Sequence, residues 1–330
     1  GPEGDLATAE VLVVDLAAGR LLARRSVVGT LLAAARLPDG MVLLLGDAES
    51  VGPARLVVVD GDGGMRAVRL PAIAAGSLVP ENPGPGVGAL RWQPGLAVDP
   101  VGRRAFVVGR EAPVAEVDLR DLEVSWHWVD RRPGLLGRLA GWLLPAAQAK
   151  SVHGPVRQAA WLGGGLLAVW GQDDSEPVLR GSVVAQWSRP AGLRVVDTRT
   201  WKAVTVHANA GAVTVAGGRL LASGRLLGPP EGADTRRPAV RAFGLTVFGP
   251  GDRRPLHLFG WRQVSWLQVS GGRAYVDLTP SSDWWVAGDS VAADREVAVV
   301  DLASGRVLAQ WRGRMPEVLV YDCCQQPSWA

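Results

Sequence analysis

The chain is poor in cysteine and histidine, and each shortage excludes a class of site. Its 330 residues include 2 cysteines and 4 histidines. The cysteines, Cys323 and Cys324, are adjacent near the end of the sequence, so they cannot cross-link distant parts of a fold. The C-x-x-C spacing of a thiolate metal site is also missing. We interpret the pair as two small side chains on a terminal strand, with a vicinal disulfide or a metal site as the alternative.

Long apolar runs and a strong net charge are missing as well. No run of about 18 or more apolar residues is free of charge, so no transmembrane helix is predicted. The formal net charge of +3 is small for this length, which argues against a nucleic-acid partner. The opening Gly1-Pro2 is typical of a cleaved expression tag, so a removed N-terminal membrane anchor is one alternative and a native processed terminus is the other.

Catalytic and metal-binding motifs are not found. His127, His153, His207 and His257 show no H-x-H or H-E-x-x-H spacing. No G-x-S-x-G, P-loop or dinucleotide fingerprint occurs, and no D-x-D-x-D-G spacing supports calcium or another divalent ion. We therefore predict no catalytic residue, no resident metal and no cofactor, which favours a protein that is not an enzyme.

What the sequence does contain is a repeated hairpin. The segment EVAVVDLASGRVLAQW, residues 296–311, has two β-branched runs around an aspartate-initiated turn, with Gly305 available for a positive φ. Related segments recur along the chain: VLVVDLAAGRLLARR (11–25), RLVVVDGDGGMRAVRL (55–70), VAEVDLRDLEVSWHWV (114–129), LRVVDTRTWKAVTV (193–206) and a degenerate LTVFGPGDRRPLHLF (245–259).

A second hairpin lies between successive copies, as at 31–45 and 95–108. Two hairpins per repeat make four antiparallel strands, which is the blade of a β-propeller. We predict an all-β protein: one β-propeller domain spanning 1–330, with six four-stranded blades and seven as the alternative. The strand at 316–321 is expected to complete the N-terminal blade and close the ring.

The segment GLAVDPVGRRAFVVG followed by AEVDL, together with LRVVDTRTWKAVTV, resembles the YVTN/YncE-like class of bacterial β-propellers. The resemblance covers most of the chain at the level of the repeat, although the full YVTN tetrapeptide does not occur. It implies an exported bacterial propeller, in the periplasm or at the cell surface. It carries over no catalytic residue, because many activities share this fold.

Long links are concentrated on one predicted face. Turns within a propeller hairpin lie on one face and links between hairpins lie on the other, and binding usually sits on long loops of a rigid scaffold. We predict that the long-loop face is the working face, with decoration that binds no ligand as the alternative. The long links are 71–94, 130–154, 172–192, 225–244 and 278–295.

The link 130–154 holds the one helical pattern, at 133–149, in which leucines and Trp142 share a face. We expect this short amphipathic helix to cap the channel or to pack on a neighbouring blade. Contact with a membrane through 133–144 is the alternative.

Two sets of residues are candidates for binding. Tryptophans and carboxylates in the loops suit a protein, peptide or carbohydrate partner: Asp173, Asp174, Trp187, Asp283, Trp284 and Trp285. Basic and amide side chains at the entries to the innermost strands suit a small anionic ligand at the channel mouth: Arg91, His153, Arg157, His207, Arg262, Gln263 and Arg314. The alternatives are tryptophans that fasten the loops to the propeller, and arginines that form ordinary salt bridges between blades.

The favoured prediction is a non-catalytic binding or interaction propeller that recognises a ligand or partner on the long-loop face. A metal- or anion-dependent hydrolase or lactonase, with its site at the channel mouth, is one alternative. A structural scaffold anchored to the envelope is the other.

Overall fold

The computed structural model describes residues 8–15, 17–47, 50–78, 90–130, 155–180, 183–228, 239–260, 262–280 and 295–313. Within these ranges the secondary structure is strand, with no helix long and apolar enough to cross a membrane. The strands are β1 (Thr8–Asp15), β2 (Arg20–Val28), β3 (Thr30–Leu37), β4 (Gly40–Gly46), β5 (Val51–Asp60), β6 (Met65–Leu78), β7 (Leu90–Trp92), β8 (Gly95–Asp99), β9 (Arg104–Val108), β10 (Val114–Asp118), β11 (Val124–His127), β12 (Val156–Gly163), β13 (Leu166–Arg180), β14 (Val183–Pro190), β15 (Leu193–Asp197), β16 (Lys202–His207), β17 (Ala210–Ala216), β18 (Arg219–Gly228), β19 (Ala239–Phe248), β20 (Leu256–Leu258), β21 (Gln263–Ser270), β22 (Arg273–Thr279), β23 (Glu296–Asp301) and β24 (Val307–Arg312).

These strands form six antiparallel sheets, which follow one another in chain order. Blade 1 is the hairpin β1–β2, blade 2 is β3 to β7, blade 3 is β8 to β11, blade 4 is β12 to β16, blade 5 is β17 to β20 and blade 6 is β21 to β24. The first strand of blade 3 contacts the first strands of blades 2 and 4, and successive blades contact each other along the series. The prediction of a six-bladed, all-β propeller is confirmed. The expected closing strand at 316–321 and the expected helix at 133–149 lie outside the described residues.

The aspartate-initiated turns form as the repeat predicts. Oδ1 of Asp301 accepts hydrogen bonds from the backbone N–H and the hydroxyl of Ser304, and these bonds hold the pKa of Asp301 below its usual value. Four residues after the aspartate, Gly305 has a φ of 69°. In two other copies the corresponding positive-φ position is occupied by Leu122 and Trp201, at 65° and 55°. The turn therefore depends on the aspartate more strictly than on the glycine.

The hydrophobic core lies between neighbouring blades. Leu44 and Leu56 of blade 2 belong to a buried cluster with Val107 of blade 3. In the same way, Leu221 of blade 5 packs in a cluster with Val276 of blade 6. Each blade thus buries its apolar faces against the next blade, so that residues available for binding lie at the ends of the strands.

Three of the predicted loops contain strand, so those predictions were wrong in part. Strand β6 continues to Leu78 and pairs with β7. Strand β13 continues to Arg180 and pairs with β14, forming a projection that we call the blade-4 arm (172–190). Residues 225–228 of β18 pair with 239–242 of β19, forming the blade-5 arm. Their position as long links between the repeated hairpins had favoured loops here, but hairpin strands can extend beyond the blade because their backbone groups satisfy one another whatever the side chains are.

Candidate partner-binding face and cleft

The two arms mark the working end of the propeller. Each arm extends the connection from the second to the third strand of its blade, which lies on the predicted long-loop face. Strand β14 of the blade-4 arm contacts β18 of blade 5. The arms of two consecutive blades therefore stand side by side on one face.

A cleft of about 320 Å³ opens on the same face, between blades 4 and 5. It lies where β16 leads into β17, beside the middle of β19 and the end of β20. Its walls carry two imidazoles, one phenyl ring and one amide, among otherwise small or aliphatic residues. The lining residues are Val206, His207, Ala208, Asn209, Phe243, His257 and Gly260.

His207 is held in one orientation at the base of this cleft. Its side chain is buried, and its Nδ1 accepts a hydrogen bond from the backbone N–H of Asn209 at 3.1 Å. The ring of Phe243 meets the imidazole edge-on, with centroids 5.8 Å apart and an interplanar angle of 84°. Because a backbone N–H can only donate, Nδ1 carries the lone pair, and the neutral ring carries its proton on Nε2.

His257 shares the cleft with His207. It lies opposite Thr246 in the register of β19 and β20, and its Nδ1 is 2.9 Å from the hydroxyl oxygen of that buried threonine. His257 was not among the candidate site residues predicted from the sequence, and its partnership with His207 was missed. One signal was available: the two histidines stand at or next to the end of the fourth strand in consecutive blades.

Acid is expected to destabilise the protein partly through His207. Burial, and then the proximity of His257, lower the pKa of His207 below its ordinary value of 6.5. The unfolded chain therefore takes up this proton at a higher pH than the folded chain. The stability that depends on neutral His207 is complete above about pH 6.5 and is lost progressively as the pH falls below that value.

The variant H207N should lack this acid-induced loss of stability, because asparagine can accept the same backbone hydrogen bond without titrating. We expect the melting temperature of the wild type to fall more than that of H207N between pH 7.5 and pH 5. Differential scanning calorimetry at both pH values measures this difference. Equal losses in the two proteins would contradict the assignment.

Two residues predicted for different sites pair with each other. Nη2 of Arg157 lies 2.5 Å from Oδ1 of Asp173, and Nη1 donates to the carbonyl of Gln172 at 2.8 Å. Arg262 likewise donates to Oε1 of Glu296 at 2.6 Å. Both arginines thus form ion pairs within their own blades, whereas the alternative stated from the sequence was salt bridges between blades.

Gln263 lies near Arg262, at the start of the innermost strand of blade 6. It is opposite Thr279 in the register of β21 and β22. Oε1 of Gln263 and Oγ1 of Thr279 are buried, and neither has a hydrogen-bond partner within the described part of the chain. A buried polar atom of this kind destabilises the fold, because it has given up its bonds to water.

Replacing Thr279 with valine is expected to raise the free energy of unfolding by about 1 kcal/mol, since the change removes an unsatisfied hydroxyl and keeps the shape. The matched variant T246V removes a hydroxyl that does have a partner, and should lower the free energy of unfolding by about 1 kcal/mol. Urea denaturation measures both. Destabilisation of equal size in the two variants would show that the Thr279 hydroxyl is satisfied.

For three other candidate residues the structure gives the position in a strand. Arg91 lies in β7, Asp174 in β13 and Trp187 in β14, opposite Glu176. Within the described ranges, no three histidine, cysteine, aspartate or glutamate side chains form a group that could hold a metal ion. Five predicted site residues lie outside the described residues: His153, Asp283, Trp284, Trp285 and Arg314.

No protein-family model and no curated protein matches the chain. Among solved structures it is similar to BamB from Moraxella catarrhalis, at 11% identity over 90% of this chain and 81% of that chain, with a TM-score of 0.32. It is also similar to the uncharacterized protein lmo1340 from Listeria monocytogenes, at 11% identity over 87% and 71%, with a TM-score of 0.37. A third is the β-propeller domain of the Trilobed protease from Pyrococcus furiosus, at 11% identity over 84% of each chain, with a TM-score of 0.28.

Likenesses this distant assign no activity, and the fold rests on the sheet order described above. The YncE-like affiliation remains a prediction from the repeat.

Proposed function

We propose that the protein is a non-catalytic binding propeller that recognises a protein partner on its long-loop face. The observation that carries this proposal is the cleft of two imidazoles and a phenyl ring, which opens beside two paired arms. The arms supply extended surface, and the cleft supplies a recess on the same face. A recess lined by aromatic rings is typical of the pockets that anchor protein interfaces.

The orientation of His207 favours binding over hydrolysis. In a catalytic triad a carboxylate accepts the Nδ1–H of the histidine, which leaves Nε2 free to act as a base. Here Nδ1 of His207 itself accepts a backbone N–H, so Nε2 carries the proton and serves as a donor. His207 is therefore not arranged as the base that the hydrolase or lactonase alternative would need.

The blade-4 arm offers a second mode of contact. Strand β14 pairs with β13 along one edge through seven register positions, from Gln172↔Pro190 to Arg180↔Val183. Among the described strands β14 pairs with β13 alone, so its other edge offers backbone donors and acceptors of the kind that an extended peptide can pair with. The YncE-like repeat supports an exported, bacterial protein, so we place the partner in the periplasm or at the cell surface.

Shortening the blade-4 arm tests the proposal. Ser175 and Ser188 face each other in the register, so an Asn-Gly turn can replace residues 176–187 and close a shorter hairpin. This design keeps Asp173 and its ion pair with Arg157. The control variant V101E changes a side chain that is 90% exposed in a turn on the opposite face.

Chemical cross-linking in cell-envelope preparations of the source organism, followed by quantitative mass spectrometry, compares the three proteins. We expect the shortened arm to reduce capture of one specific protein by about tenfold or more, a factor equivalent to about 1.4 kcal/mol of lost contact. V101E should capture it as the wild type does, and calorimetry confirms that both variants fold. Equal capture by the shortened arm, or loss of capture in V101E, would overturn the proposal.

A further inference from the structure

We propose that the cleft between blades 4 and 5 receives a tyrosine side chain of the partner, whose hydroxyl oxygen accepts a hydrogen bond from Nε2–H of His207. The inference rests on the proposed function, because it names the group that the partner inserts. It draws on the tautomer of His207, the lack of charged side chains among the described residues of the cleft wall and the size of the recess.

The tautomer gives the cleft one oriented donor. The backbone N–H of Asn209 occupies Nδ1 of His207, so the remaining ring nitrogen bears the hydrogen. The edge-on ring of Phe243 holds the imidazole plane from the side. A ligand that uses this donor must therefore bring an acceptor atom. A Zn²⁺ ion would need a lone pair on Nε2, which this tautomer lacks.

The cleft wall selects an uncharged acceptor. Among the described residues that line it, none is an arginine, lysine, aspartate or glutamate. A carboxylate that entered would lose its hydration without a cation to pair with, which is unfavourable. A phenol hydroxyl keeps an acceptor oxygen without a charge. Its own proton can be donated to the amide oxygen of Asn209 or to His257, so one hydroxyl can use two walls of the cleft.

The dimensions fit a single ring. A volume of about 320 Å³ lies at the lower limit of small-molecule pockets, and it holds one aromatic side chain with the backbone that carries it. The ring of Phe243 and the two imidazoles provide aromatic edges and faces against which a phenol packs. Tyrosine is also among the residues that most often anchor protein interfaces.

Nuclear magnetic resonance of protein labelled with ¹⁵N at histidine tests the inference directly. The chain has only 4 histidines, so their ring nitrogens can be resolved and assigned with H207N and H257N. Long-range ¹H–¹⁵N spectra report which nitrogen of each ring is protonated. The probes are N-acetyl-tyrosine amide, N-acetyl-phenylalanine amide and acetate, each titrated separately.

We expect His207 to show the Nε2–H tautomer before any probe is added. The tyrosine amide should shift the His207 and His257 resonances and bind about fivefold more tightly than the phenylalanine amide, the difference typical of one hydrogen bond. In H207N this preference should fall to about one, with the fold retained. If H207N does not fold, H257N serves instead, because it removes a wall of the cleft and should weaken binding of both amides.

Three results would overturn the inference: an Nδ1–H tautomer at His207, a stronger response to acetate than to the tyrosine amide, or no shift of either imidazole. Its failure can be told apart from failure of the proposed function. Loss of partner capture in the arm variant, combined with no tyrosine binding, leaves the face a partner surface with a different anchor. Tyrosine binding combined with unchanged capture in the arm variant makes the cleft a small-molecule site and removes the proposed function.

Discussion

Replacing Gly224 with alanine is expected to lower the free energy of unfolding by about 3 kcal/mol and to distort the cleft. Gly224 pairs with Ala210 at the point where the first strand of blade 5 begins. A Cβ at this position would overlap the backbone carbonyl oxygen of Asn209 and would lie 3.1 Å from Cα of Ala210. Both atoms belong to backbone, so neither can rotate away. Since Asn209 lines the cleft and orients His207, a shift there changes the site as well as the fold.

Gly211 provides the matched control for this prediction. It lies beside Ala210 in β17, and a Cβ built on it meets no atom within 4 Å. Urea denaturation of G224A and G211A should therefore give a large loss for the first and a change within about 0.5 kcal/mol for the second. Similar behaviour of the two variants would contradict the close approach described for Gly224.

Replacing Phe106 with alanine is expected to lower the free energy of unfolding by about 3–5 kcal/mol. Phe106 is fully buried between blades 3 and 4, and its ring stacks on Trp161 with centroids 5.2 Å apart and planes 12° apart. The guanidinium of Arg104 lies 5.5 Å from the Phe106 centroid and 5.8 Å from that of Trp161. Truncation would leave a cavity at this junction and remove the ring that stacks on Trp161 and lies close to the guanidinium of Arg104.

The exposed Trp128 of the same blade is the control for size. Its side chain is 41% exposed, so W128A removes a large ring that buries far less surface. We expect W128A to cost about 1 kcal/mol or less, because changes outside the core are usually small. If F106A and W128A lowered the free energy of unfolding equally in urea denaturation, the burial of Phe106 in a core between blades 3 and 4 would be contradicted.

The fold could be predicted because its signals are local and repeated. The aspartate turn needs only five consecutive residues, and Oδ1 of Asp15 accepts the N–H groups of Ala17 and Ala18 as the pattern requires. Recurring glycines in second strands, such as Gly171 in β13 and Gly224 in β18, were also visible in the sequence. Their reason is structural: a Cβ at either position would overlap the backbone of the first strand or of the residues leading into it.

The site could be predicted only in part because its contacts cross between blades. His207 was a candidate from its place near a strand entry, whereas His257 was set aside. The two meet only because blades 4 and 5 pack side by side, and no spacing along the chain encodes that distance. Arg157 and Asp173 both belong to blade 4, and they were assigned to separate sites because the register of β12 and β13 was not predicted. They lie 16 residues apart in the chain, yet β12 and β13 place them next to each other.

The most direct test of the binding face is hydrogen–deuterium exchange of the protein alone and in complex with the partner captured by cross-linking. We expect the backbone amides to exchange more slowly on binding in the cleft segments 206–210 and 256–260 and in the blade-4 arm. The opposite-face turns at Gly217–Gly218 and Gly271–Gly272 should exchange as they do in the free protein. Protection of those turns, with the cleft and the arm unchanged, would contradict recognition through the long-loop face.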